Sequence, residues 1–424
     1  MLNRKKQPKI YEVKDLKLPP VQLFHLDNEI PVYIVNLGLQ EVVKIEIVFQ
    51  AGRPFETTRL ASRATGSLIK EGTFSLSSAE IAEKVDFFGG SISTPSGMDT
   101  SNVVLQCLTK HFNQLLPLLA EMILTPAFSQ KELDTFVENN IQGLQVELSK
   151  SDIVAYRQIT ENIFGKEHPY GYNSDETLYR NLQRSALVEH HEANYHAGNC
   201  TIFISGKIND EMLKSLNIYF GKMPKKEKKV ILPSLISTKP TQVFIEKKDS
   251  SQTAISIGRR LFPRNHEDFN AFFVLNTILG GYFGSRLMEN IREEKGYTYN
   301  IYSTSEPMLY DGYFYISTEV GNEYLAATKE EIYKEISILQ NDLVDKKELK
   351  MVKNYLLGNI LTMVDGPFNI AEIVKSYVTE GLPYSNFENI VEVIRAISAE
   401  QLRDLACKYL QKDDLWEVVV GEKK

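Results

Sequence analysis

Cysteine is scarce in this chain, with three residues in 424. Cys107, Cys200 and Cys407 are far apart, odd in number and without C-x-x-C spacing. That excludes a disulfide framework and a cysteine zinc site, and buried free thiols are the expected state. Long apolar runs are missing as well. The basic start from Met1 to Pro8 could imitate the head of a signal peptide, but Lys9, Glu12, Lys14, Asp15 and Lys17 break up the residues after it. Neither a signal peptide nor a membrane span is expected, which makes the cytoplasm the expected location. An excess of positive charge is also lacking. The net charge is −7, and a protein whose main partner is nucleic acid needs a basic face.

The chain is otherwise ordinary globular material: 43% apolar and 24% charged residues. A length prior of roughly 100–200 residues per domain gives two or three domains. Val43, Ile45, Ile47 and Phe49 alternate with Lys44, Glu46 and Val48, the pattern of a strand with one strongly apolar face. Phe112, Leu115, Leu116, Leu119, Met122 and Ile123 recur at helical spacing. Residues 201–206 read as a short buried strand closed by Gly206. Charge and proline are dense from Gly221 to Lys229, with Pro233 and Pro240 beyond, so residues 221–240 read as a linker between 1–220 and 241–424.

The two sides of that linker look alike. Lys131-Glu132-Leu133 opens one helix, and Lys347-Glu348-Leu349 opens another 216 positions later. The strand ending at Gly206 has a counterpart, Trp416–Gly421, displaced by 215. An amphipathic helix precedes each, around Leu187 and around Leu402. These matches predict an α+β chain of two duplicated domains, each an antiparallel-rich mixed β-sheet with helices packed on one face.

Seven histidines invite a metal test. The densest group, His190, His191 and His196, resembles H-E-x-x-H but is one residue too long. Five positions carry a side chain about 140° around a helix, so His191 and His196 diverge. The reading is a plain amphipathic helix end. His25, His111, His168 and His266 are isolated in sequence.

The segment after the first strand says more. Ala51-Gly-Arg-Pro-Phe-Glu56 leads into a helix through Leu60, Arg63, Gly66 and Ser67, then Gly72-Thr73, a further helix, and Phe87-Phe-Gly-Gly-Ser91. This order resembles the first domain of pitrilysin/insulinase-type zinc peptidases, in the mitochondrial-processing-peptidase-like subgroup. In that family the helix before Gly-Thr carries an inverted H-x-x-E-H, with two histidines on zinc and the glutamate as general base. Here the three positions read Arg63, Gly66 and Ser67. The family's third ligand, a downstream glutamate, falls on Gln145, with Glu138 at the earlier acidic position and Glu147 as an alternative register. One carboxylate cannot replace three donors, and Arg63 places a cation where a cation should bind. The resemblance thus implies a degenerate member that holds no metal itself.

The second half keeps its signature. Leu279-Gly280-Gly281-Tyr-Phe-Gly284-Ser285-Arg286-Leu287 continues through Arg292 to Gly296-Tyr297-Thr298-Tyr299. It is similar to the family's second-domain motif, in which an arginine and a tyrosine seven residues later face the zinc of the opposing domain. Arg292 and Tyr299 hold that spacing. A tyrosine hydroxyl can donate to a developing oxyanion and an arginine can fix the substrate backbone. The plain alternative is a solvated Arg292 and a core-packed Tyr299. His168-Pro-Tyr-Gly171 and the opening strand through Leu26-Asp-Asn-Glu29 and Val32 also resemble family segments, with Glu29 in place of a glycine.

The resemblance implies a non-catalytic subunit that supplies Arg292 and Tyr299 in trans. Its partner would be a zinc-bearing subunit of the same family, and the two would form a chamber that binds unfolded peptides by strand addition. Self-association into a homodimer stays open. The competing reading is a structural or peptide-holding relic, like the processing-peptidase-like core subunits of a respiratory complex. Hydrolysis through Ser67 or Cys107 is disfavoured, since neither sits in a nucleophile elbow or beside a histidine in sequence.

Overall fold

The computed structural model describes Val13 and residues 16–227 and 238–423. The basic N-terminal segment and the middle of the expected linker lie outside the described residues. Among those described, the first sheet comprises β1 (Gln22–His25), β2 (Pro31–Asn36), β3 (Val42–Phe49), β4 (Ser91–Ser93), β5 (Ser101–Leu108) and β6 (Cys200–Gly206), ordered β1-β2-β6-β3-β5-β4. The helices of this half are α1 (Ala61–Leu68), α2 (Ser78–Phe87), α3 (Phe112–Leu124), α4 (Gln130–Leu148), α5 (Ser151–Phe164), α6 (Glu176–Arg180), α7 (Arg184–Asn194) and α8 (Asp210–Phe220).

The second sheet comprises β7 (Gln242–Glu246), β8 (Gln252–Leu261), β9 (Thr298–Pro307), β10 (Gly312–Gly321) and β11 (Trp416–Gly421), ordered β7-β11-β8-β10-β9. Its helices are α9 (Phe269–Leu279), α10 (Leu325–Asn341), α11 (Lys346–Met363), α12 (Gly366–Thr379), α13 (Asn386–Ala396) and α14 (Ala399–Tyr409). No helix among the described residues is long and apolar enough to cross a membrane.

Apart from β1, the two sheets have one topology. In each, a single parallel pair (β2 with β6, β7 with β11) is followed by antiparallel strands out to the edge (β6-β3-β5-β4, β11-β8-β10-β9). The two Lys-Glu-Leu triplets fall in the first turns of α4 and α11, each behind a side chain that caps the helix. Ser129 accepts from Glu132 N–H at 3.3 Å, and Asp345 accepts from Lys347 N–H at 2.8 Å. Gly206 closes β6 at φ +111, and a Cβ there would lie 2.3 Å from the Val42 carbonyl oxygen.

Each sheet carries its own helices on one face. Ile45 and Ile47 pack there with Leu116, Leu119 and Ile123; Ile255, Phe314 and Ile316 pack with Phe272, Ile336 and Leu402. The sequence does not reveal what covers the other faces. α5, from the first half, lies on the second sheet, where Ala155, Ile159, Ile163 and Phe164 join Tyr313, Trp416 and Val418. α12, from the second half, lies on the first sheet, where Ile370, Ala371 and Val374 join Val35, Val48 and Phe203. The exchange explains why Glu46 and Val48, on the nominally polar face of β3, are 3% and 2% exposed. Cys107 and Cys200 are buried as expected, but Cys407 is exposed. It lies on α14, where its thiol reaches the Gln340 carbonyl oxygen at 3.3 Å.

The buried Glu46 carboxylate meets Lys44 at 3.2 Å, Lys375 of α12 at 2.7 Å and the Asn102 amide at 2.7 Å. Both lysines also meet Glu372. Removing one member of a buried ionic group leaves its partners desolvated and uncompensated. Glu46→Ala is therefore expected to destabilise the fold by about 3 kcal/mol, read as a lower urea midpoint at unchanged m value.

Candidate functional site

α1 buries Ala61, Ala64, Thr65 and Leu68, which leaves Arg63 exposed and Ser67 at the margin. The Arg63 guanidinium lies 6.0 Å from the Tyr179 ring centroid. On α4, Gln145 and Glu147 are exposed, and Glu138 is exposed and paired with Arg180 at 3.2 Å. Among the described residues no three His, Cys, Asp or Glu side chains converge as a metal site. The donor set at these positions does not fit zinc, and the space does not either. A Cβ on Gly66 would stand 2.4 Å from Ser96 Oγ and 2.7 Å from Ser101 Oγ. Ser101 is held there by the Tyr195 hydroxyl, which donates to it at 2.7 Å. Serine hydroxyls crowd the place where a Cβ on residue 66 would stand.

The histidines serve the scaffold. His190 Nε2 donates to the Ala51 carbonyl at 2.9 Å, and its Nδ1 accepts from the Asn194 amide at 3.2 Å. Burial pushes this imidazole down to about 4. His191 donates to the Ile123 carbonyl at 2.8 Å. His168 is buried, stacks on Phe164 with centroids 5.3 Å apart and accepts from Tyr170 N–H at 3.2 Å. The Tyr170 hydroxyl donates to Asp99, which also accepts from Leu309 N–H at 2.9 Å. The His-Pro-Tyr-Gly stretch thus ties the two halves together through Asp99, whose carboxyl is raised by burial. That tie is invisible in sequence, because its three parts lie far apart along the chain. Burial pushes the Cys107 thiol up to about 11, which disfavours the thiolate that a nucleophile requires.

Arg292 and Tyr299 come together at the surface of the second half. A π-helical turn, Met288–Glu294, carries Arg292, and Lys295 N–H donates five residues back to the Asn290 carbonyl at 3.0 Å. The Arg292 guanidinium lies 5.3 Å from the Tyr299 ring centroid and 4.6 Å from that of Phe283. Its ion pair among the described residues is with the adjacent Glu293, at 3.5 Å. Tyr299 opens β9 and is 86% exposed, so it packs in no core. Sequence reasoning missed Phe283; a Tyr-Phe pair between glycines carried no signal of its own.

The edges of the two sheets differ. On β9, Ser303 N–H is taken by the Gly280 carbonyl at 3.0 Å, and the Ser303 carbonyl accepts from the Asn276 amide at 3.3 Å. A peptide strand cannot pair continuously along β9. β1, β4 and β7 each pair with one strand alone among the described residues, and the outer edge of β4 is one candidate for strand addition.

Helix propensity alone would make Gly66→Ala stabilising by up to about 1 kcal/mol. The serine contacts reverse the sign, and a lower Tm is expected; a higher Tm would mean the space is open. Reinstating the motif with Arg63→His, Gly66→Glu, Ser67→His and Gln145→Glu is expected to give no stoichiometric zinc by metal analysis. His190 is neutral in both states above its ordinary value of 6.5. Below it the unfolded chain takes up the proton first, so stability from this group falls between pH 6.5 and about 4, by about 3 kcal/mol at most. His190→Gln is expected to flatten that part of the stability–pH curve.

The insulinase (peptidase family M16) model matches residues 35–169, and the peptidase M16 inactive-domain model matches residues 181–356. The chain is 24% identical to the uncharacterized zinc protease YmxG of Bacillus subtilis, over 93% of this chain and 96% of that one. It is 21% identical to the non-peptidase homolog YmxG of Helicobacter pylori, over 90% and 93%. The crystal structure of a peptidase M16 inactive domain from Pseudomonas fluorescens superposes with a TM-score of 0.86 at 23% identity, covering 95% of this chain and 98% of that one. With both halves matched and the zinc-motif positions occupied by Arg63, Gly66 and Ser67, the chain belongs to the insulinase (M16) peptidase family as a degenerate member.

Proposed function

We propose that this chain is the non-catalytic subunit of a two-subunit zinc peptidase. In this reading it binds no metal itself, pairs with a zinc-bearing subunit of the same family and forms half of a chamber for unfolded peptides. The observation that carries the reading is the contrast between its halves. Among the described residues the first brings no metal-donor set together and has serine hydroxyls crowding Gly66. The second presents Arg292 and the 86% exposed Tyr299 side by side on its surface.

That pair suits a reacting peptide held by the partner. The Tyr299 hydroxyl would donate to the peptide carbonyl oxygen as it gains charge, and Arg292 would fix the backbone beside it. The open edge of β4 supports binding of an extended peptide through its backbone, which tolerates varied sequences.

A second reading has its own support. The matched relative in Helicobacter pylori is named a non-peptidase homolog, and Arg292 has a neighbouring carboxylate in Glu293. In that reading the chain holds peptides or partners without serving any cleavage.

Native co-purification on a tag, with the eluate assayed for zinc and peptide cleavage, separates the two. Recovery of a zinc-bearing subunit is expected, with cleavage reduced about 100-fold or more by Arg292→Ala/Tyr299→Ala while the complex persists. A chain that elutes alone, or a double-mutant complex that cleaves at the normal rate, would establish the second reading.

A further inference from the structure

We infer that Phe283 is a positioning residue for Arg292, an inference that rests on the two-subunit reading. Phe283 is 65% exposed, so burial in a core does not account for an aromatic side chain there. Its ring centroid lies 4.6 Å from the Arg292 guanidinium, nearer than the Tyr299 ring at 5.3 Å. A cation over an aromatic face is attracted by the ring quadrupole.

The loop that presents the ring is fixed at both ends. Gly280 lies against β9, where a Cβ would come within 2.5 Å of the Ser303 nitrogen, and its carbonyl accepts from Ser303 N–H at 3.0 Å. A Cβ on Gly281 would come within 2.7 Å of Thr277 Cα. Tyr282 packs on Tyr355 with ring centroids 4.7 Å apart, and its carbonyl accepts from Ser285 N–H at 3.1 Å. Phe283 is thereby held out from a rigid base.

Arginine needs such a hold here. Its side chain has many rotamers in water, and the available ionic anchor is Glu293, one residue along and 53% exposed. Without the Phe283 ring the Glu293 carboxylate, already 3.5 Å from the guanidinium, would be its remaining anchor, and that exposed pair leaves the guanidinium free to move away from Tyr299. With it, the guanidinium is held 5.3 Å from the Tyr299 ring centroid, where it can meet a peptide carbonyl beside the tyrosine. The two rings and the π-helical turn together set the position of one cation.

The test uses the purified two-subunit complex cleaving a fluorogenic peptide, and the Arg292 Nε–H resonance of the chain alone. Phe283→Leu keeps bulk and removes the ring. It is expected to lower kcat about tenfold with little change in KM and to move the Arg292 resonance toward that of a solvated arginine. Phe283→Tyr is expected to restore both. If Arg292→Ala lowers kcat but Phe283→Leu does not, the positioning role is overturned and the two-subunit reading stands. If neither substitution lowers kcat, both fall.

Discussion

The two halves exchange a helix. α5 leaves the first half to cover the second sheet, and α12 returns to cover the first. Each sheet therefore has two apolar faces to bury, one under its own helices and one under a helix from the other half. The junctions are built differently. α5 docks through large apolar and aromatic side chains around Trp416. α12 docks through a smaller apolar patch and the ionic group of Lys44, Glu46, Glu372 and Lys375. Neither sheet is complete without the opposite half, which makes the duplicated domains one interdependent unit.

That arrangement holds the two candidate regions at fixed places on one body. In the first half, the helix that matches the family's zinc-ligand helix carries Arg63, Gly66 and Ser67, with the Ser96 and Ser101 hydroxyls crowding the space beside Gly66. In the second half the corresponding investment is outward: a glycine-rich loop, a π-helical turn and the start of β9 converge on Phe283, Arg292 and Tyr299. The β9 edge is closed at Ser303 by the same loop, whereas β4 pairs with β5 alone among the described residues. The crowding beside Gly66 and the surface arrangement of Arg292 and Tyr299 thus rest on separate packing.

Much of this was legible in the chain. β3, α3, β6 and β11 follow from period-2 and period-3.6 patterns, and the repeated Lys-Glu-Leu triplets and terminal strands located the duplication. The degenerate motif was legible because Arg63, Gly66 and Ser67 lack zinc-binding side chains whatever the fold. The burial of Glu46 was not: an alternating strand reads as half-exposed unless a distant helix is known to cover its polar face, and α12 lies more than three hundred residues away. Phe283 was hidden for a related reason, since a Tyr-Phe pair between glycines has no periodicity, and the meaning of its phenylalanine comes from Arg292 across the turn.

The sequence by itself determined the local elements, the doubling of the domain and the lack of zinc-binding side chains at positions 63, 66 and 67, because these depend on side-chain chemistry and short-range periodicity. Tertiary structure alone decided which helix covers which sheet, that serine hydroxyls crowd Gly66, that the β9 edge is closed at Ser303, and that Arg292, Tyr299 and Phe283 meet at the surface. Those outcomes depend on packing between segments far apart in the chain, where loop-closure entropy and steric fit, rather than local propensity, choose the partner.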